Sequence, residues 1–361
     1  MKKIQRFILS ILVAALTVLA IANCGGGGSG SGGSQEGIPA GPPEALWVNL
    51  PAGLNGLDVV SVADGIIVSG NDDIGKVFVV KYGYDGTQQW LARIADGNNA
   101  TFAVKNGLAV NGEKVVVATN EPVNYYGFSS NTGRVYVFSS SDGSVLSHFY
   151  YGDRTIKAVA CDNGYVYTVS INPTVGLYSN HLIQRMGDPT FSMSAVDCVV
   201  KTVRGAAVKD GFLYIFGDAY TNRFMYAEPL NNTGEGSVEY FFFNGTSARA
   251  SAFDSNWIYV LAAWNGKYVV MTYPRITAGQ PQIPSPVQLP VAGTPSGIAV
   301  YDNVTVVLCG DAPQSEVLMN GVTYRVYSGS GVTFSSDKQY LFLVNGNGVY
   351  RFYAKTGNSA R

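Results

Sequence analysis

The sequence predicts an all-β fold made of repeated small sheets, and three observations carry that expectation: a recurring phrase, its spacing, and a composition suited to strands and turns. The phrase is a short apolar run, Asp or Asn, Gly or Asn, and then a second β-prone run. Val60-Ser61-Val62-Ala63-Asp64-Gly65 leads into Ile66-Ile67-Val68, and Val110-Asn111-Gly112 precedes Val115-Val116-Val117. Asp162-Asn163-Gly164 comes before Tyr165-Val166-Tyr167, and Asp210-Gly211 before Phe212-Leu213-Tyr214. Three further copies end in Asp254-Ser255-Asn256, Asp302-Asn303 and Ser335-Ser336-Asp337. Two apolar runs joined in this way form a tight hairpin, because the turn needs positive φ at its central residues and Asn, Asp and Gly supply it. The second strands are expected to begin near residues 66, 115, 165, 212, 257, 304 and 340. A period in the forties has room for about four strands per unit. Gly 43 and Tyr 23, with no apolar 3.6-residue period after the N-terminal segment, suit many short strands and little helix.

Units of this kind cannot bury both faces alone, so the repeat implies a closed β-propeller. The expected architecture is a single seven-bladed propeller of four-stranded antiparallel blades over residues 44–356, with 357–361 as a tail. Lys76-Val77-Phe78-Val79-Val80-Lys81-Tyr82 and Gln88-Gln89-Trp90 supply third and fourth strands around Asp85-Gly86. Arg134-Val135-Tyr136-Val137-Phe138 and Val145-Leu146 repeat this around Asp142-Gly143. The last unit ends at Arg361 without a fourth strand, and Leu46-Trp47-Val48 is similar to Gln89-Trp90-Leu91. Residues 45–50 are therefore expected to complete the last blade and close the ring. Over residues 76–93, 134–149 and 349–357 the chain resembles the PQQ-like, or quinoprotein-type, β-propeller repeat: a strand, an Asp-Gly or Thr-Gly turn, then a Trp. That resemblance implies architecture rather than activity, since unrelated functions share one fold.

The N-terminal segment reads as a targeting signal. Lys2, Lys3 and Arg6 precede the uncharged, largely apolar stretch 7–22, the two regions of an export signal. Leu19-Ala20-Ile21-Ala22-Asn23-Cys24 resembles the lipobox of bacterial lipoproteins. The resemblance implies removal of residues 1–23 and lipidation of Cys24. Ala20-Ile21-Ala22 also suits ordinary signal peptidase, which would leave a secreted protein. Residues 24–43, rich in Gly, Ser and Pro, form a flexible tether. The expected location is the cell envelope, lipid-anchored on the periplasmic side or the cell surface.

Charged residues make up 14% of the chain and the formal net charge is −1, which leaves no electrostatic footprint for nucleic acid. Only His148 and His181 are present, and no His or Cys pair has ligand spacing, so a zinc site is not expected. Beside Cys24 the chain has Cys161, Cys198 and Cys309, expected as buried free thiols, with a Cys161–Cys198 disulfide allowed by the compartment. No two cysteines are adjacent, so the vicinal disulfide of some quinoprotein dehydrogenases is lacking, and no cofactor is expected. The turn Gly70-Asn71-Asp72-Asp73-Ile74-Gly75 is rich enough in oxygen for Ca²⁺ near Asp72 and Asp73, but an ordinary polar turn needs the same residues. Loops joining second to third strands gather on one face of a propeller around its channel. They place Asn124, Tyr125, Tyr126, Tyr178, Asp218, Tyr220, Arg223 and Trp264 on a candidate partner-binding face of aromatic and polar residues. The expected function is a non-enzymatic binding or scaffold module for a protein or glycan partner in the envelope. The alternatives are a degenerate quinoprotein-like dehydrogenase or propeller lyase, and a structural factor in envelope assembly.

Overall fold

The computed structural model describes residues 46–354 except 95–101, 126–127, 151–153, 163–164, 172–180, 187–191, 197–199, 221–222, 231–237, 242–244, 275–284, 290–292, 302–304, 312–313 and 320–321. The signal, Cys24 and the tether lie outside the described residues. Among those described every regular element is a strand, and no helix is long and apolar enough to cross a membrane.

Strand β1 (Leu46–Asn49) precedes a four-stranded sheet of β2 (Leu54–Val62), β3 (Gly65–Asp72), β4 (Val77–Gly83) and β5 (Gln88–Ile94). The next sheet holds β6 (Phe102–Asn111), β7 (Lys114–Tyr125), β8 (Phe128–Ser139) and β9 (Val145–Tyr150). A third holds β10 (Thr155–Asp162), β11 (Tyr165–Ile171), β12 (His181–Met186) and β13 (Ser192–Val196). Then come β14 (Val200–Lys209), β15 (Phe212–Tyr220), β16 (Arg223–Pro229) and β17 (Val238–Phe241). These share one sheet with β18 (Ser247–Phe253), β19 (Trp257–Trp264), β20 (Lys267–Pro274) and β21 (Ser285–Leu289). β22 (Pro295–Tyr301), β23 (Thr305–Gly310), β24 (Ser315–Met319) and β25 (Val322–Ser328) form a further sheet. β26 (Gly331–Phe334), β27 (Tyr340–Asn345) and β28 (Gly348–Tyr353) take β1 as their fourth strand.

The second strands start within one residue of the positions set by the repeated phrase. The first strands touch in cyclic order, β2 to β6, β10, β14, β18, β22, β26 and back to β2, and so enclose a channel. The ring closes where expected: Leu46 pairs with Tyr350, Val48 with Val349 and Asn49 with Gly348. The register shifts at Trp47, whose ring packs 4.9 Å from Phe342.

Two expectations are corrected. Five separate four-stranded sheets and one eight-stranded sheet stand in place of seven separate blades. The fusion has a local cause. At the end of β15, Asp218 pairs with Ser247 of β18, and the Ala219 N–H donates to Thr246 O at 2.7 Å, so the backbone ladder carries through. The β22–β25 sheet is also not wholly antiparallel, because β25 lies parallel to β23 and pushes β24 to the outside. Burial follows the exchange: Tyr324, Val326 and Tyr327 of β25 are buried, whereas Leu318 of β24 is 72% exposed. The strand that leads into β26 takes the inner place, and only Gly329 and Ser330 are then needed to reach it.

Middle strands are covered on both faces by neighbouring sheets. Every residue of β4 is buried, a continuous run rather than an alternating one. Lys81 within it is neutralised by Asp64 at 2.8 Å and donates to Ser140 O at 2.9 Å on the neighbouring sheet. Trp90 Nε1 donates to the same carbonyl at 3.0 Å. Its ring covers Gly143, where a Cβ would come within 2.6 Å. Trp47 covers Gly86 in the same manner, so a Trp in the outer strand of one sheet seats on the Asp-Gly turn of the next.

Candidate functional site

Antiparallel pairing puts the start of each first strand at the same end as the hairpin joining the second and third strands, as Leu54↔Asp72 shows for β2 and β3. The channel mouth at that end is the candidate site. Tyr125 pairs with Phe128, Tyr220 with Arg223, and Trp264 with Lys267, so all belong to hairpin ends there. The Trp264 turn is a direct product of sequence: Asn265 and Gly266 have φ of 48° and 72°, as a tight hairpin requires. Trp264 is half-buried. The side chains of Asn124, Tyr125, Tyr220 and Arg223 lie outside what is described, as do Tyr126 and Tyr178 altogether.

Asp218 is part of a built constellation. Arg204 Nε and Nη2 donate to its two oxygens at 3.1 and 3.0 Å, and the Ser247 hydroxyl donates to Oδ1. Burial pushes the Asp218 carboxyl up, but the bonds from Arg204, Ser247 and Thr202 outweigh it and hold the pKa below the ordinary value.

Sequence reading missed the layer beneath the hairpin ends. Six first strands shift register at one level: between Gly56 and Asp58, Ala103 and Leu108, Ile156 and Ala158, Val203 and Gly205, Ala248 and Ala250, and Pro295 and Gly297. A bulge inserts an unpaired residue and re-aims its side chain. The residues so placed include Lys157, Arg204 and Arg249, with Lys105 and Asn106 in the wider bulge of β6. A signal was there to find, since a cation precedes a small residue in Lys157-Ala158, Arg204-Gly205 and Arg249-Ala250.

The β6 bulge bridges the channel. Lys105 Nζ lies 2.7 Å from Asp58 Oδ1 and donates to Leu57 O at 3.1 Å and to Ser330 O. The Asn106 N–H donates to Asp58 Oδ2 at 2.8 Å, and its amide donates to Arg204 O at 2.8 Å across the ring. Asn106 has a φ of 61°, and a Cβ on Gly107 would meet Val104 O at 2.5 Å, so the bulge needs these residue types. Burial pulls the Lys105 ammonium down, but the Asp58 charge more than compensates and raises its pKa. On the Asp-Gly turn side of the bridge is a cavity of about 150 Å³, lined by Val60, Ala207, Ser251, Ile298 and Val332 among others.

Asp72 Oδ1 accepts the N–H groups of Ile74 and Lys76 at 3.2 and 2.7 Å, which is how such a residue holds its own turn. The Asp73 N–H donates to Gly53 O at 2.9 Å. Among the described residues no three His, Cys, Asp or Glu lie close enough to hold a metal. His148 is exposed on β9 against Tyr136 and Tyr150, and His181 opens β12. Cys161 and Cys309 carry free thiols, and burial pushes them up to about 12 and about 11, so both stay protonated near neutral pH. Cys198 lies outside the described residues.

No family model and no curated protein matches the chain. Solved structures do. A chain from a crystal structure of the mitotic checkpoint complex aligns with TM-score 0.59 and 11% identity over 91% of this chain and 99% of that one. The computationally designed Ika8 protein aligns at TM-score 0.46 and 12% identity over 85% of this chain and 99% of its own. A chain of a nidogen/laminin complex aligns at 0.43 and 11% over 82% and 91%. The first of these establishes the fold, an all-β propeller.

Proposed function

We propose that this chain is a lipid-anchored extracytoplasmic β-propeller, related in its repeat to the PQQ-like propellers, that binds a protein or glycan partner in the cell envelope. The reading rests on one observation above all. Hairpin ends carrying Tyr125, Tyr220, Arg223 and Trp264 share the end of the channel where Asp218 and Arg204 form an ordered pair. A rigid ring presenting aromatic and polar groups around a mouth gives large contact area at low entropy cost. Propellers commonly serve as protein-binding scaffolds, and the similar chain that shares the fold comes from a protein complex. The lipobox-like segment ending at Cys24 and the tether after it supply the anchor and the reach.

The test has two arms. Replacing Tyr125, Tyr220 and Trp264 together by Ala should abolish recovery of an envelope partner by the tagged chain while leaving its circular dichroism unchanged; undiminished recovery rejects this face. Cys24→Ser should release the chain from the membrane fraction, and continued membrane association rejects the lipid anchor.

A further inference from the structure

The outer edge of the second sheet is open in a way that other outer strands are not. β9 ends the order β6-β7-β8-β9, and among the described residues it pairs only with β8, so its far side offers a row of backbone N–H and C=O groups. Of its six residues, Val145–Tyr150, all but Ser147 are exposed. Val145, Leu146 and Tyr150 are each more than half in solvent, and Phe149 is 37% exposed. The strand has no acidic or basic carboxylate, ammonium or guanidinium group and no proline. A free edge is ordinarily guarded by such residues or by brevity. Arg93 in β5, Glu239 in β17, Pro286 in β21 and Glu316 in β24 do this, and β1 and β13 are shorter. In the first sheet Trp90 of β5 is also buried on the Asp-Gly turn of the next sheet, and no residue of β9 is buried in that way.

We infer that β9 is the interface through which two copies of this chain pair, edge to edge and antiparallel, across a twofold axis at Ser147. A second copy is the occupant that the strand itself fits. A twofold antiparallel pair opposes residues of the same face, so an axis at Ser147 sets Val145 against Phe149 of the second copy, and Leu146 against His148. Aromatic against β-branched is a favourable cross-strand pair, and the residue that must meet itself is the small Ser147. An axis one residue further on would set two His148 rings face to face. Charge does not oppose the approach. The Arg134 guanidinium, 3.9 Å from the Tyr150 ring centroid, is paired with Glu121 at 2.9 Å, and the formal net charge of the chain is −1. Six residues a side is small for a specific interface, so the dimer should be weak and should dissociate on dilution. The inference stands apart from the envelope reading, since it needs neither an anchor nor another macromolecule.

Cysteine cross-linking reads the register directly. Opposed residues of antiparallel strands lie about 4.5–5.5 Å apart, Cα to Cα, a separation that a disulfide spans. In the full chain, Ser147→Cys should form a covalent dimer on oxidation with copper phenanthroline, above the background set by the cysteines of wild type. Leu146→Cys alone and His148→Cys alone should stay near that background, because each faces the other residue, whereas a mixture of the two variants should cross-link. Adding Val145→Lys and Leu146→Lys to Ser147→Cys should cut the covalent dimer about tenfold. It should leave the melting temperature unchanged, since both side chains are in solvent. No dimer above background, equal cross-linking at all three positions, or a dimer undiminished by the lysines overturns the pairing. A marked fall in melting temperature with the lysines would assign these residues to holding their own sheet, and overturns it as well.

Discussion

Lys105 shows how much a single side chain can carry in a closed ring. It ties Asp58 and Leu57 of β2 to Ser330 beside β26, and the bulge that presents it also reaches Arg204 of β14. Lys105→Met leaves Asp58 largely buried with one donor, and should cost about 2–3 kcal/mol, read as a lower denaturant midpoint at unchanged slope. Asp218 gives a pH signature. Its folded pKa is depressed, so its contribution is present above the ordinary carboxyl value and is lost as pH falls through the folded one. Asp218→Asn should therefore be less stable than wild type at neutral pH, and the gap should close in acid. A gap independent of pH would remove the ionised carboxylate from this account. The glycine turns offer a matched pair. Gly143 has a φ of 72° and its Cβ space is filled by Trp90, whereas Gly112 has a φ of 58° and open space. Gly112→Ala should cost about 1 kcal/mol of backbone strain, and Gly143→Ala about 1–3 kcal/mol more from overpacking, both by denaturant melts. These turns were legible because positive φ is a local demand met by few residue types. The burial of Lys81, in contrast, rests on Asp64 together with the Ser140 carbonyl of the next sheet, a contact that no local pattern reveals.

Among elements, the hairpins follow from sequence and the sheet order does not. Asp210-Gly211 and Asn265-Gly266, each with both φ values positive, had to be turns between apolar runs. Nothing local in Ser315–Met319 says that it will lie outside the strand that follows it. That order shows only in the pairing, where β25 lies between β23 and β24 and buries Tyr324, Val326 and Tyr327. Amide hydrogen exchange should find β24 the faster of the pair and β25 protected; equal rates would contradict the parallel pairing. The bulges stand between these cases. A bulge leaves little trace in one strand, but a basic residue recurring before Ala or Gly at one level of several strands is a pattern that a repeat alignment can reveal. Half of the candidate site was therefore readable from loop composition, and the other half only from comparing equivalent positions.

At the scale of the whole molecule, the ring depends on its two ends meeting. β1 supplies three paired residues to β28, and the Leu50 and Gly56 N–H groups donate to Asn347 O and Gly346 O, each at 2.8 Å. Trp47 adds its contact with Phe342, and the Arg351 guanidinium lies 5.3 Å from its ring centroid. The similarity of the Trp47 and Trp90 segments anticipated this closure, whereas periodicity overstated how separate the sheets are. A period counts hairpins, and it is blind to a backbone pair such as Asp218↔Ser247 that fuses neighbours. The most direct test of the closed ring compares thermal unfolding of a chain beginning at residue 40 with one beginning at residue 51. Loss of β1 exposes the edge of β28 and the core face around Phe342, so the shorter chain should melt about 10 °C lower or more. Equal melting temperatures would contradict closure through β1, and with it the fixed channel mouth on which the binding surface depends.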